Sequence, residues 1–111
     1  MIRVPWDLEE AVALLDLYER YGGTGTVPRS ELENLSLLFQ NRAQALGIIT
    51  DGKYRNLSGL QLQLACMHYV ATDGQHGMSS ASQLFYQTYD LYKNDPDKFR
   101  QIRDEFYRRY Q

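Results

Sequence analysis

Apolar residues recur at intervals of three and four in five stretches of this sequence, and this spacing is the strongest constraint on its fold. In the first stretch, Leu8, Ala11, Val12, Leu15 and Tyr18 would share one face of a helix. There is no strong strand pattern, repeat or low-complexity segment. The sequence therefore predicts an all-α fold in which residues 1–111 form a single domain, a bundle of about five short helices.

Signals for a helix start precede each stretch. Asp7 and Glu10 have the spacing of a capping box, and serines followed by Glu or Gln repeat that spacing further along the chain. The predicted caps are Asp7, Ser30, Ser58, Ser79 or Ser80, and Asp95. Pro96 after Asp95 suits a first helical position, where its missing N–H needs no partner. Residues 48–50 are compatible with a short extended piece before the Asp51–Gly52 turn.

The third stretch is the most unusual, because no residue between Asn56 and Thr72 is charged. A helix that is neutral on nearly all sides is typical of the buried centre of a bundle. The sequence thus predicts that the third helix is the central one.

Composition excludes several classes of protein. Hydrophobic residues make up 43% of the chain, which argues against disorder. The net charge is −2, with three basic against seven acidic residues in positions 1–40 and nine against seven in positions 41–111, so an anionic partner should prefer the second part. No apolar run approaches the ~18 residues of a membrane span. Cys66 is the single cysteine, which fits a reducing compartment, and we predict a cytoplasmic protein.

The turn that leads into the third helix is the predicted binding site. Arg55 offers a planar donor fork that suits phosphate, and the free N–H groups of a helix start attract anions. Arg42, at the end of the second helix, is expected to join them. The predicted nucleic-acid or anion site consists of Arg42, Lys53, Tyr54, Arg55, Asn56, Ser58 and Gln61. The alternative is that Arg55 pairs with an acidic residue of the first helix and that Asn56 merely shapes the turn.

Other motifs favour structural roles. The glycine-rich segment 22–26 lacks the preceding strand and the Gly-Lys-Ser/Thr of a phosphate loop, so we interpret it as the end of a helix. His68 and Cys66 are two residues apart and point to different faces of a helix, which disfavours a metal site. Cys66 lies in an apolar helix and is expected to be inert. We predict a protein that is not an enzyme and needs no cofactor.

Two segments resemble a known kind of module. Residues 6–11, Trp-Asp-Leu-Glu-Glu-Ala, are similar to the W-x-x-E-E opening of a small all-helical module of bacterial proteins. The later segment 54–60, Tyr-Arg-Asn-Leu-Ser-Gly-Leu, the turn at 77–79 and a tail containing Phe99 extend the resemblance over nearly the whole chain. Such modules often precede HNH-type nuclease or restriction-like domains, which implies DNA-related or defence-related work. Residues 6–72 also resemble Myb/SANT-like three-helix domains, which implies a helix-turn-helix-like arrangement.

Two functional hypotheses follow. The first is a helical module that binds nucleic acid, or another partner, through the Lys53–Ser58 turn. The third helix carries Gln61 and Gln63 but no Lys or Arg, so base-specific reading of DNA is not expected. The second hypothesis is a module for protein–protein interaction or oligomerisation with no nucleic-acid role. Its predicted contact surface is a set of exposed tyrosines: Tyr86, Tyr92, Tyr107 and Tyr110.

Overall fold

The computed structural model describes residues 4–111, and this part of the chain contains five α-helices and no strand. The helices are α1 Leu8–Arg20, α2 Arg29–Ala45, α3 Leu57–Ala71, α4 Gln83–Asn94 and α5 Pro96–Tyr110. The predicted all-α fold with about five helices is confirmed. Residues 48–50 belong to the irregular connection between α2 and α3 and are not a regular element.

The central helix of the bundle is α1. Every residue from Glu10 to Tyr18 is buried, and α1 contacts each of the other four helices. The prediction that α3 is central was wrong, because α3 exposes Ser58, Gln61 and Leu62 to solvent. The absence of charge in α3 therefore does not reflect burial on all sides.

One hydrophobic core includes side chains from all five helices. Leu14 and Leu15 of α1 are fully buried in it, as are three aromatic side chains from α2, α4 and α5: Phe39, Phe85 and Phe106. Trp6 precedes α1 and packs edge-on against Phe39 and Phe85, at ring-centroid distances of 5.4 and 5.8 Å. These contacts fix the N-terminal segment beside the start of α1.

Two of the predicted helix starts are confirmed. Asp7 forms a reciprocal capping box with Glu10, in which the Glu10 N–H donates to Asp7 at 3.1 Å. Asp95 accepts a hydrogen bond from the Lys98 N–H at 3.3 Å, with Pro96 at the first helical position. Both caps act within their own first turn, so local sequence is sufficient to define them.

Two other starts lie at different residues from those predicted. α2 begins at Arg29 directly after Pro28, and Glu33 pairs with Arg29 instead of serving a cap at Ser30. α3 begins at Leu57 with Asn56 as its cap, where the Asn56 side chain accepts from Gly59 N at 2.9 Å. Asparagine is as good a cap as serine, and here it precedes Ser58 in the chain.

α4 starts at Gln83, three or four residues after the predicted serines. The reason is that the preceding segment packs against α3. Met78 N donates to the Ala65 carbonyl at 3.0 Å, and Gly77 lies so close to α3 that a side chain there would meet its backbone. Ser80 contacts the Cys66 thiol at 3.7 Å. These contacts hold residues 77–80 outside any helix.

Candidate functional site

The turn between α2 and α3 is hydrogen-bonded to α2, and its Arg55 side chain points toward α1. Arg55 has a φ of 49°, the left-handed conformation that non-glycine residues adopt infrequently. Its carbonyl oxygen accepts a hydrogen bond from Ser36 Oγ of α2 at 2.7 Å. Asn56 follows as the cap of α3. This backbone path directs the Arg55 side chain back toward α1 and away from solvent.

The Arg55 guanidinium makes a buried, bidentate ion pair with α1. Its Nε and Nη2 donate to the two carboxylate oxygens of Glu10 at 2.6 and 3.0 Å. The side chains are 9% and 1% exposed. The guanidinium also donates to the carbonyls of Val4 and Pro5 at 3.3 Å, and it lies 4.9 Å from the ring centre of Trp6. The donor fork is therefore engaged inside the molecule.

Arg42 is bound to α1 in the same way. Its Nη2 donates to Asp7 at 2.5 Å and its Nε donates to Glu9, while its side chain is 9% exposed. Burial disfavours the charged guanidinium, but the hydrogen bonds to Asp7 and Glu9 outweigh this and raise the pKa of Arg42. Arg42 and Arg55 thus connect α2 and the α2–α3 turn to the acidic start of α1.

The structure divides the seven predicted site residues into two groups. Arg42, Arg55, Tyr54 and Asn56 have structural contacts: the arginines hold α1, Tyr54 is buried with its ring 4.4 Å from the Arg55 guanidinium, and Asn56 caps α3. The exposed members are Lys53, Ser58 and Gln61. Of the two alternatives for Arg55, the structure shows the ion pair with the first helix.

A small cleft remains beside the turn. Its volume is about 190 Å³, and its lining consists of Trp6, Lys53, Arg55, Asn56, Gly59 and Gln63. Lys53 is the exposed cation at this cleft, and the first turn of α3 forms one side of it. The turn can therefore still present one cation and one helix start to an anion.

A second candidate surface, not predicted from the sequence, consists of exposed residues of α2 and of the loop that follows. Between Glu33 and Asp51 the sole charged residue is Arg42, and Arg42 points inward. We call residues 37–50 the uncharged face. Its exposed members include Leu37, Leu46 and Ile49, at 55%, 53% and 76% of full exposure, the highest values among the large hydrophobic residues of positions 4–111. The signal that could have revealed it is the run of 17 residues with a single charge.

A third feature is a polar network between α1, α2 and α5. Asp16 Oδ2 accepts hydrogen bonds from Arg20 Nε and from the Tyr107 hydroxyl, both at 3.0 Å. Arg20 also donates to Glu31 at 3.2 Å and to the Tyr107 hydroxyl at 3.3 Å. Burial, followed by the nearby Asp16 carboxylate, raises the pKa of Tyr107 to about 12. The Arg103 guanidinium lies 3.7 Å from Asp16 Oδ1.

The glycine-rich segment, His68 and Cys66 make contacts within the fold. The glycine-rich segment closes over α1, where the Tyr18 hydroxyl donates to the Gly23 carbonyl at 2.8 Å and lies 2.6 Å from His68 Nδ1. Burial, with a smaller contribution from Glu19, raises the pKa of Tyr18 to about 12. Cys66 is a buried free thiol. Within positions 4–111, no three His, Cys, Asp or Glu side chains are grouped as metal ligands would be.

The tyrosine surface proposed for protein contacts is not formed. Tyr92, Tyr107 and Tyr110 are only partly exposed and pack against the core, whereas Tyr86 is 40% exposed. Tyr92 also donates to Glu19 at 3.4 Å. The predicted exposure was thus wrong for three of the four tyrosines, because their positions on α4 and α5 face the core. The role in protein–protein contacts itself stays a prediction.

The chain matches no protein-family model, no curated protein and no solved structure. The resemblance to bacterial helical modules and to Myb/SANT-like domains therefore stays a prediction. Across positions 4–111, none of the helices combines the length and the apolar character needed to cross a bilayer.

Proposed function

We propose that this protein is a protein-interaction module that pairs with a second copy of itself through the uncharged face. The observation that carries the proposal is the concentration of exposed aliphatic side chains in residues 37–50, a segment whose single charge is turned inward. The cores of protein interfaces are depleted of charged residues and contain apolar side chains within a polar rim. The uncharged face has this composition, with Gln40, Asn41 and Gln44 among the aliphatic residues.

The absence of exposed charge from residues 37–50 favours a second copy as the partner. In a two-fold symmetric pair, the same surface meets itself, so a charged residue near the axis faces an identical charge. The uncharged face avoids this repulsion. The outer side of α5, by contrast, carries Arg100, Arg108 and Arg109 together with Asp97 and Asp104. The exposed side of α3 is also uncharged, but Leu62 is its one large hydrophobic residue with more than 36% exposure. Residues 37–50 expose three such side chains and are therefore the surface best suited to self-association.

The test is sedimentation equilibrium of the full chain across a range of concentrations, with Leu37→Glu and Ile49→Glu as variants. We expect a concentration-dependent dimer for the wild type. Each glutamate would face its own copy or enter an apolar contact, and we expect association to weaken by about tenfold or more, equivalent to at least about 1.4 kcal/mol.

The matched control is Leu62→Glu. Leu62 is 45% exposed on α3, outside the uncharged face, so this variant adds the same charge at a leucine of similar exposure. We expect it to dimerise like the wild type. A wild type that stays monomeric at every concentration, or a Leu62→Glu variant that loses association as fully as Leu37→Glu, would refute the proposal.

A second candidate function is phosphate binding, including that of nucleic acid, at the Lys53–Ser58 turn. The cleft at the start of α3 supports it, because its lining includes the exposed Lys53 and the polar side chain of Gln63. The Gly59 N–H, which also borders the cleft, already donates to Asn56 Oδ1. Arg55 and Arg42 contribute no free donor fork there, since both hold carboxylates of α1. The candidate therefore depends on Lys53, beside Gln63 in the lining of the cleft. Of the other predicted residues, Gln61 lines a separate pocket with Gly25 and Thr26.

Lys53→Gln tests this second candidate better than Arg55→Ala, because Lys53 is exposed and its loss should not affect folding. We expect weak binding to single-stranded or duplex nucleic acid that decreases with salt, and a smaller salt slope for the variant, by about one unit. Lys93→Gln, which removes an exposed lysine of α4, is the control. Binding that does not depend on salt, or that Lys53→Gln leaves unchanged, would exclude this role.

A further inference from the structure

A groove with two lobes crosses α1 where α2, α4 and α5 meet it. One lobe, of about 400 Å³, lies between α1, α2 and α5, and the other, of about 260 Å³, lies between α1, α4 and α5. Asp16, Arg20 and Arg103 line both lobes. The larger lobe is within the size range of small-molecule sites in proteins.

The two sides of the groove line it with groups of opposite charge. The α5 side carries Arg100 and Arg103, which also pair with Asp97 and Asp104 of the same helix, whereas the side formed by α1 and α2 carries Glu19 and Glu31. Arg20 does not change this arrangement, because its guanidinium donates to Asp16, Glu31 and Tyr107 at 3.0–3.3 Å. A ligand with a single kind of charge would meet attraction on one side of the groove and repulsion on the other.

The floor of the groove holds an acceptor atom that the fold leaves open. The Asp16 side chain is 9% exposed, and its Oδ2 accepts the two hydrogen bonds from Arg20 and Tyr107. Its Oδ1 accepts no hydrogen bond from residues 4–111 and forms a longer ion pair with Arg103 Nη1 at 3.7 Å. Among these residues no fully enclosed side-chain oxygen or nitrogen lacks a partner, so Oδ1 opens onto the groove. A carboxylate oxygen in this position suits a donor from a ligand.

We propose that this groove binds a small zwitterion, a molecule that carries both an ammonium and a carboxylate group. The ammonium donates to Asp16 Oδ1 and to Glu31, whose side chain is 29% exposed. The carboxylate pairs with Arg103, whose side chain is 28% exposed and whose Nε is held by Asp104 at 2.9 Å. Asn34, exposed at the edge of the larger lobe, adds a neutral hydrogen-bonding group.

The probe is glycylglycine, compared with two derivatives that each keep one charge. N-acetylglycylglycine keeps the carboxylate, and glycylglycine amide keeps the ammonium. Binding is followed by the ¹H–¹⁵N amide shifts of the full chain at up to about 10 mM ligand, where a site of millimolar affinity is occupied. We expect shifts around Asp16, Glu31 and Arg103 with the zwitterion, and about tenfold weaker binding for either derivative.

Two variants locate the site. Asp16→Asn removes the open acceptor charge, and Arg103→Gln removes the carboxylate partner; we expect each to weaken zwitterion binding by about tenfold. Arg103→Gln also serves if Asp16→Asn does not fold, because Arg103 is the more exposed of the two. Arg29→Gln, an exposed arginine paired with Glu33 outside the groove, is the control and should bind like the wild type.

The proposal is overturned if glycylglycine causes no amide shifts, if both derivatives bind as tightly as the zwitterion, or if Arg103→Gln leaves its affinity unchanged. Zwitterion binding is independent of self-association, because no residue of the uncharged face lines the groove. The Leu37→Glu variant should therefore lose dimerisation and keep zwitterion binding.

Discussion

At the scale of single residues, Arg55 makes the contact on which the α2–α3 turn depends. Its left-handed backbone costs about 1–3 kcal/mol in a non-glycine residue. The same conformation brings its guanidinium to Glu10, which would otherwise be a charge buried at 1% exposure. The guanidinium also donates hydrogen bonds to the carbonyls of Val4 and Pro5, and it makes a cation–π contact with the ring of Trp6. The strain is thus offset by neutralising a buried carboxylate.

Arg55→Ala should therefore destabilise the fold strongly. It leaves Glu10 buried without its partner, which typically costs about 3–5 kcal/mol. Urea unfolding measures the loss. Arg29→Ala is the matched control, since Arg29 and Glu33 form an exposed pair at 78% and 57% side-chain exposure, and its loss should cost at most about 0.5 kcal/mol.

The double variant Arg55→Met with Glu10→Gln completes this experiment. It removes both charges, so it should recover much of the stability that Arg55→Ala loses. Equal stability of Arg55→Ala and Arg29→Ala would show that the buried pair does not act as described.

Titration of Tyr107 should make the free energy of unfolding decrease at alkaline pH. Its pKa is raised to about 12 by burial and by Asp16, above the value of about 10 for an unfolded tyrosine. This group's contribution to the free energy of unfolding is complete below pH 10 and is lost as the pH rises from 10 to 12. Tyr107→Phe should remove that part of the alkaline slope, as urea unfolding at a series of pH values would measure.

The same variant should also lower stability at pH 7, by about 1–2 kcal/mol, because Asp16 loses a hydrogen bond. Tyr86→Phe, which changes an exposed tyrosine, controls for the removal of a hydroxyl at pH 7 and should be neutral. An alkaline slope that is identical in Tyr107→Phe and wild type would contradict the assignment.

At the scale of elements, the packing of residues 77–80 decides where α4 can begin. Gly77 has a φ of +89° and lies against the backbone of α3, where an added Cβ would meet the Ala65 carbonyl and lie 2.7 Å from Tyr69 N. Met78 N then donates to Ala65 O. Only after this contact ends can the chain turn into the helix at Gln83. Ser79 and Ser80 do not cap α4, because the backbone just before them packs against α3.

Gly77→Ala should be more destabilising than Gly47→Ala. Both glycines have positive φ, but an added Cβ at Gly47 would meet nothing within 4 Å. The backbone strain is therefore common to both variants, and the difference of about 1–3 kcal/mol reports the clash with α3. Thermal unfolding measures both variants. If the two variants lose the same stability, residues 77–80 are not held against α3.

At the scale of the whole molecule, α1 is the axis around which the other helices assemble. It contacts all four of them, and its acidic residues receive arginines from α2, from the α2–α3 turn and from α5. The hydrophobic core likewise draws on every helix. A bundle organised in this way has no group of helices that can keep its contacts when the others are lost, so it should unfold as one unit.

Unfolding should therefore be two-state. Trp6 is the sole tryptophan, and it contacts Phe39 of α2, Phe85 of α4 and the Arg55 guanidinium. Its fluorescence reports these tertiary contacts, whereas far-UV circular dichroism reports the helices. We expect both signals to give the same urea midpoint. Loss of the fluorescence signal at a clearly lower urea concentration would show that the N-terminal segment detaches before the helices unfold.

Local features of the sequence were sufficient to predict the number of helices and their approximate positions. The spacing of apolar residues acts over one or two turns, and the caps at Asp7 and Asp95 act within three residues. The starts of α2, α3 and α4 were displaced where a neighbouring cap or a distant contact competed. Asn56 preceded Ser58 as a cap, and α3 held residues 77–80 in place.

The sequence by itself determined an all-α chain of five helices, because helix formation depends on residues within about four positions of one another. Only the tertiary structure decided that α1 is central and that Arg55 faces inward. Glu10 and Arg55 are 45 positions apart, and Asp16 and Tyr107 are 91 apart. An arginine on a turn can pair with a distant carboxylate or face an anion in solvent, and its sequence neighbours are the same in both cases. The packing of α1 against the α2–α3 turn selects the ion pair.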